Sequence, residues 1–116
     1  MAQGDIYVID IDLRNSSQTI IIGVPDSIVL SAIVSFKTVS TVNAGKWGEL
    51  NLLNYNGEFM HRFFYKRNYT GQDWELVELP MKKLKLDGGD QLQFVAHCDD
   101  SRDSTYLNAR ITIMEV

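Results

Sequence analysis

An all-β fold, a single antiparallel β-sandwich of about eight strands in a jelly-roll-like arrangement, is what this sequence predicts, and three observations predict it. Apolar residues recur at every second position in segment after segment between Ile9 and Ile113, which is the period of a strand buried on one face. Turn signals made of Gly, Pro, Asn and Asp separate these segments at near-regular spacing, and no segment of ordinary helix length carries a 3.6-residue period. A chain of 116 residues with 45% hydrophobic content has the size and the apolar material for one core, so residues 1–116 are assigned to one domain.

The elements follow in order. Ile9, Ile11 and Leu13 alternate with Asp10 and Asp12, predicting a first strand over residues 6–13 with a wet acidic face. Asn15, Ser16 and Ser17 supply a turn, and residues 19–24 run almost continuously apolar, predicting a strand covered on both sides. Pro25 then breaks the ladder, because proline has no N–H to donate. Residues 28–36 predict a long third strand, with Ile28, Leu30, Ala32, Val34 and Phe36 on one face and Val29, Ser31, Ile33 and Ser35 on the other. Residues 37–48 around Trp47 read as a loop or a short irregular edge strand.

Strands over residues 50–55 and 59–65 flank Asn56-Gly57, the pair that favours a two-residue hairpin of type I′. Strict alternation in the second of them puts Phe59, His61, Phe63 and Tyr65 on one face and Met60, Arg62 and Phe64 on the other. Trp74, Leu76 and Leu79 mark a further strand that Pro80 stops, and residues 81–86 form a connector. The run Asp87-Gly88-Gly89-Asp90 is a tight turn, with glycine for positive φ and carboxylates to take nearby N–H groups. It sets the register of residues 91–97, where Leu92, Phe94 and Ala96 face the core and Gln91, Gln93, Val95 and His97 face away. After a polar loop at 98–104, residues 106–116 close the chain with Leu107, Ala109, Ile111 and Ile113 buried.

Composition narrows the function. The net charge of −4, with Lys and Arg scattered rather than striped, disfavours nucleic acid and anionic membrane as partners. The lone Cys98 cannot form an internal disulfide and reads as a small buried hydrophobe, which suits a reducing cytoplasm. Residues 1–4 are short and polar, and no apolar run approaches the roughly 20 residues that span a bilayer, so an intracellular product, including a particle released by lysis, is expected.

No residue pattern announces chemistry. Asp99, Asp100 and Asp103 form an oxygen-rich loop without the glycine bend and closing glutamate of a calcium loop, so a solvated acidic loop is expected. Asp10 and Asp12 share a strand face at about 7 Å, and alternation alone accounts for them. His61 and His97 have no chelating spacing, Cys98 is remote in sequence from His61, and neither Gly-x-Ser-x-Gly nor a phosphate-cradling glycine loop occurs. We therefore expect no enzyme, no metal and no cofactor. Two binding readings remain. Tyr55, Tyr65, Tyr69 and above all Trp47 and Trp74 are candidates for a carbohydrate platform. The segment from Phe59 to Arg67 has the composition of a protein interface, with Phe59, Arg62, Phe64 and Tyr65 as its candidate anchors.

Four segments, Thr19-Ile20-Ile21-Ile22-Gly23-Val24-Pro25, residues 28–36, Leu86-Asp87-Gly88-Gly89-Asp90-Gln91-Leu92 and Ala109-Arg110-Ile111-Thr112-Ile113, resemble in their order small bacteriophage virion structural proteins of jelly-roll type. In that group a Val-Pro turn separates two early strands, a glycine-aspartate turn precedes the penultimate strand, and the chain closes on an alternating strand. The resemblance implies a head decoration, fibre-base or tail accessory component, made in the host cytoplasm and resident in the virion. It also implies a homo-oligomer that docks onto other virion proteins, with the carbohydrate-binding module as the alternative.

Overall fold

The computed structural model describes residues 4–14 and 17–116 and contains nine strands in two antiparallel sheets. They are β1 (Ile6–Leu13), β2 (Ser17–Gly23), β3 (Ser27–Val39), β4 (Lys46–Leu53), β5 (Phe59–Asn68), β6 (Gln72–Glu78), β7 (Lys85–Leu86), β8 (Gln91–Cys98) and β9 (Ser104–Glu115). Sheet A has the order β1-β9-β3-β6 with β7 also on β3, and sheet B has the order β2-β8-β4-β5. Setting β7 aside, the pairs β1 with β9, β2 with β8, β3 with β6 and β4 with β5 make one long antiparallel ribbon folded back at the β4–β5 hairpin. Rolling that ribbon until β3 meets β9 and β4 meets β8 gives a jelly roll. The predicted sandwich is the observed one. Its ninth strand is β7, a two-residue pairing of Lys85 and Leu86 within the segment read as a connector.

Between the sheets lies a core in which Phe36, Leu50, Phe94, Leu107 and Ile111 are wholly buried. Strands β8 and β9 alternate as predicted, with Leu92, Phe94 and Ala96 from one and Leu107, Ala109, Ile111 and Ile113 from the other turned inward. Elsewhere the alternation is interrupted. In β3, Leu30 is an extra residue between the Val29–Ile113 and Ser31–Thr112 pairs. This bulge shifts the phase, so Val29 rather than Ile28 joins Ala32, Val34 and Phe36 in the core. Strand β2 is not covered on both sides: it is an edge strand paired only with β8, and Thr19 and Ile21 are exposed while Ile20 and Ile22 are half-buried. Of the segment 37–48, residues 40–45 are the expected loop, but residues 37–39 end β3 and Trp47 lies in β4, which begins at Lys46 and runs between β8 and β5 rather than at an edge. Within the predicted turn at 15–17, Asn15 and Ser16 lie outside the described residues, and Ser17 already belongs to β2.

Both glycine turns form with altered chemistry. In the β4–β5 hairpin only Gly57 has positive φ (81°), and Gly57 N–H donates to Asn54 C=O at 2.9 Å while Asn54 N–H donates to Glu58 C=O at 2.8 Å. That is a type I turn closed by a left-handed glycine, rather than type I′, which needs Asn56 left-handed as well. In the second turn Gly89 takes the positive φ (91°), and the carboxylate that accepts Gly88 N–H is that of Asp26, at 2.8 Å, tying the turn to the β2–β3 connection.

At one end of the sandwich a wholly buried ion pair joins Lys46 Nζ to Asp103 Oδ2 at 3.1 Å. Asp103 also accepts Thr41 N–H (2.6 Å), Thr41 Oγ1–H (2.7 Å) and Val42 N–H (3.2 Å), and Lys46 donates to the carbonyls of Ala44 (2.8 Å), Val42 (3.3 Å) and Tyr69 (3.4 Å). Burial pushes the Asp103 carboxyl up, but the donors from Thr41, Lys46 and Val42 together outweigh it and hold the group well below the usual carboxylate range.

Two predictions follow from this packing. A Cβ built at Gly48 meets the Phe36 ring at 2.9 Å and Leu107 Cδ1 at 3.1 Å, so Gly48→Ala should cost about 1–3 kcal/mol, read as a lower urea midpoint at unchanged slope. Because the folded Asp103 pKa lies below its unfolded value near 4, its stabilisation is complete above about pH 4 and is lost as pH falls below that. Melting temperature should therefore drop on acidification below about pH 4, and Asp103→Asn should start lower and flatten the Asp103 part of that slope.

Candidate functional site

With the inner rows committed to the core, the outer faces carry whatever the protein binds. On the outer face of sheet A, cross-strand register lines up Asp12, Asn108, Ser35 and Leu76, and beside them Asp10, Arg110, Ile33 and Glu78. These two rows, Glu78 excepted, line a groove of about 610 Å³. Arg110 donates to Asp10 Oδ2 at 2.9 Å and Arg14 to Asp12 Oδ2 at 2.7 Å, so each carboxylate has its own guanidinium. The Oδ1 atom of Asn108, a lining residue, is buried without a hydrogen-bond partner. One row beyond Asn108 stands Tyr106, whose ring lies 6.2 Å from that of Trp74 and nearly parallel to it (26°). Lys37 Nζ lies 5.8 Å from the Tyr106 ring and 6.0 Å from the Trp74 ring. Trp74 is 46% exposed.

Trp47 sits on the other sheet. On the outer face of sheet B its neighbours across β4 are His97, with rings 4.0 Å apart, and Arg67, whose guanidinium is 4.9 Å from the indole and 5.3 Å from the Tyr69 ring. Side chains of β8 and β5 thus flank the indole on both sides. The two tryptophans named as one platform lie on opposite faces of the sandwich and cannot act together. Next to Trp47, Ser17 Oγ is 3.1 Å from His97 Nδ1, and His97 Nε2 is 3.0 Å from Asp99 Oδ1. No local pattern marks this row of contacts, because the β2–β8 register that pairs Ser17 with His97 joins residues 80 apart. Ser17 Oγ also lies 3.3 Å from Cys98 C=O and 3.4 Å from Cys98 N, which ties the β2 edge to β8.

The candidate interface lies on the edge strand β5. There the register pairs Leu50 with Phe64, Asn51 with Arg62, Leu52 with His61 and Leu53 with Phe59, leaving Phe63 and Met60 as bulge residues. The bulges break the expected alternation and turn Phe64 inward. Only 8% exposed, with its ring 6.2 Å from that of Phe36, Phe64 is a core residue and is corrected from the interface set. Phe59 (59% exposed), Tyr65 (44%) and Met60 remain outward, and the Arg62 guanidinium lies 5.9 Å from the Phe59 ring and 4.8 Å from that of Tyr65. Arg62 is held there by Glu49 at 2.9 Å.

The acidic loop is divided among separate cations. Asp99 faces His97 and Arg67, Asp103 faces buried Lys46, and Asp100 binds Arg102, whose side-chain and backbone donors hold its carboxyl down at about 2. Among the described residues, no cluster of three or more His, Cys, Asp or Glu is placed to hold a metal. Cys98 is buried, its Sγ 3.1 Å from the Asp100 carbonyl.

No family model matches the chain, and no curated protein matches it in sequence. Among solved structures it is similar to dimeric latent PorU from Porphyromonas gingivalis, at 14% identity and TM-score 0.45, over 98% of this chain and 13% of that one. It is also similar to a structure of infectious bursal disease virus, Gx strain, at 10% identity and TM-score 0.42, over 96% of this chain and 32% of that one. The chain therefore spans less than a third of the length of either neighbour.

Proposed function

We propose that the chain is a non-enzymatic structural component of a virus particle, made in the host cytoplasm, that works by association with its own copies and with other virion subunits. The observation that carries the reading is the aromatic edge of β5. Edge strands leave a row of backbone N–H and C=O groups unpaired, and proteins that do not use such an edge blunt it with charge or proline. Charge and bulges are present on β5, in Arg62, Lys66, Arg67 and the two register shifts, yet the edge also exposes Phe59, Met60 and Tyr65, large apolar side chains that blunting does not need, and Tyr55 extends the surface onto the adjoining hairpin. Arg62, clamped by Glu49 and lying near the Phe59 and Tyr65 rings, is preorganised, so little side-chain freedom is lost on docking. Phe64 serves this edge from behind by fixing β5 to the core.

The jelly-roll strand order and the turn motifs shared with small bacteriophage virion proteins support the virion setting, as a head decoration, fibre-base or tail accessory part. A stable interface buries roughly 1,200–2,000 Å² and draws most of its energy from a few large anchors, a role that Tyr65 and Phe59 fill.

Light scattering of the purified protein should give a mass several times that of one chain. Tyr65→Asp should lower that mass toward the monomer while circular dichroism shows the β-sandwich retained, because it puts a charge into a desolvated patch while leaving the core intact. A wild type that stays strictly monomeric at high concentration removes self-association. Failure to find the chain in purified particles by mass spectrometry removes the virion role.

A further inference from the structure

We propose that the groove on the outer face of sheet A is a binding site for a neutral glycan of a few sugar units, with Asp10, Asp12, Asn108 and Arg110 taking its hydroxyls and Trp74 with Tyr106 supplying an apolar platform. The inference does not rest on the association reading, which uses the β5 edge of the other sheet.

Four observations point to a sugar. At about 610 Å³ the groove falls within the range of small-ligand sites, and its polar groups converge on one face. Those groups include acceptors in Asp10 and Asp12, donors in Arg110, and the mixed groups Asn108 and Ser35, which is the complement of a ligand whose hydroxyls both donate and accept. The charges cancel locally, since Asp10 is paired with Arg110 and Asp12 with Arg14, so the groove selects neither an anion nor a cation. One row beyond the lining residues Asn108 and Leu76, Trp74 and Tyr106 stand with nearly parallel rings, a surface for the C–H face of a pyranose that extends past that end of the groove.

A peptide strand is a poor occupant. The central strands β9 and β3 are hydrogen-bonded on both sides, so the floor offers no free backbone ladder and recognition has to come from side chains. Trp47 is the poorer platform, because it is half-buried between His97 and Arg67, whereas Trp74 is 46% exposed.

The test is a printed array of neutral and acidic oligosaccharides probed with the purified full chain, followed by calorimetry on the neutral oligosaccharide that binds best. Specific neutral binding is expected. Trp74→Ala and, separately, Asp12→Ala should each weaken it about tenfold or more, with circular dichroism and melting temperature confirming the fold. Trp47→Ala and Tyr65→Asp should leave the affinity unchanged, the second even where it dissolves an assembly. The proposal is overturned by an array with no neutral binder, by binding confined to acidic glycans, by affinity that survives both Trp74→Ala and Asp12→Ala, or by affinity lost in Trp47→Ala.

Discussion

The buried pair of Lys46 and Asp103 sets the phase of the strand on which both sheets depend. Taking two charges out of water costs several kcal/mol each, and attraction between them offsets that only when the remaining donors and acceptors are satisfied. Here they are: the ammonium reaches the carbonyls of Ala44, Val42 and Tyr69, and the carboxylate takes two N–H groups and a hydroxyl from Thr41 and Val42. The pair thereby gathers the β3–β4, β5–β6 and β8–β9 connections at one end. With Lys46 fixed inward, Trp47 must face out and Gly48 must face in, against Phe36. A slip of one residue would reverse every side chain of β4 and put the indole where only a glycine fits.

Bulges complete what the ion pair begins. A strand that alternates without fault has one apolar face, but β3 carries apolar residues on both, and the extra Leu30 decides which of them are buried. Beyond it Ala32, Val34 and Phe36 go to the core, while Ile33, Ser35 and Lys37 go to the outer face, where Ser35 and Ile33 become part of the groove. In β5 the extra Met60 and Phe63 do the corresponding work, sending Phe64 inward and leaving Phe59 and Tyr65 outside. Both proposed surfaces are thus shaped by register shifts.

This explains which features were legible in the sequence. Strands β8 and β9 alternate without interruption, so period two names their buried residues correctly. The glycine turns were equally plain, because a turn is written in four or five consecutive residues. Bulges have no such local mark: nothing in Ile28-Val29-Leu30 says that the third residue is the extra one. The continuous apolar run of β2 reads alike at an edge and in a sheet centre, since only its neighbours distinguish them. Asp103 lies in a run that looks solvated, and its burial depends on Lys46, which itself lies in a segment that reads as a loop. The candidate sites were legible only as residue types. Which aromatic residues share a face depends on pairings such as Lys37 with Tyr106 and Trp47 with His97, between residues far apart in the chain.

The two proposed surfaces lie on different sheets, and that separation has a physical consequence. Shallow grooves on a sheet face bind sugars weakly, because much of the ligand stays in water and few hydroxyls are fully paired. Association through the β5 edge engages sheet B, while the groove lies on the outer face of sheet A. Copies fixed in one assembly then meet a multivalent glycan surface together, and once one groove is filled the next binds at an effective concentration in the millimolar range where the spacing matches. Avidity can exceed the affinity of a single groove by roughly 10²–10⁴ without any new contact. Weak grooves repeated on one assembly would hold the particle to a glycan-coated surface while each remains able to release and rebind, so the aromatic edge and the polar groove together can supply an attachment that neither supplies alone.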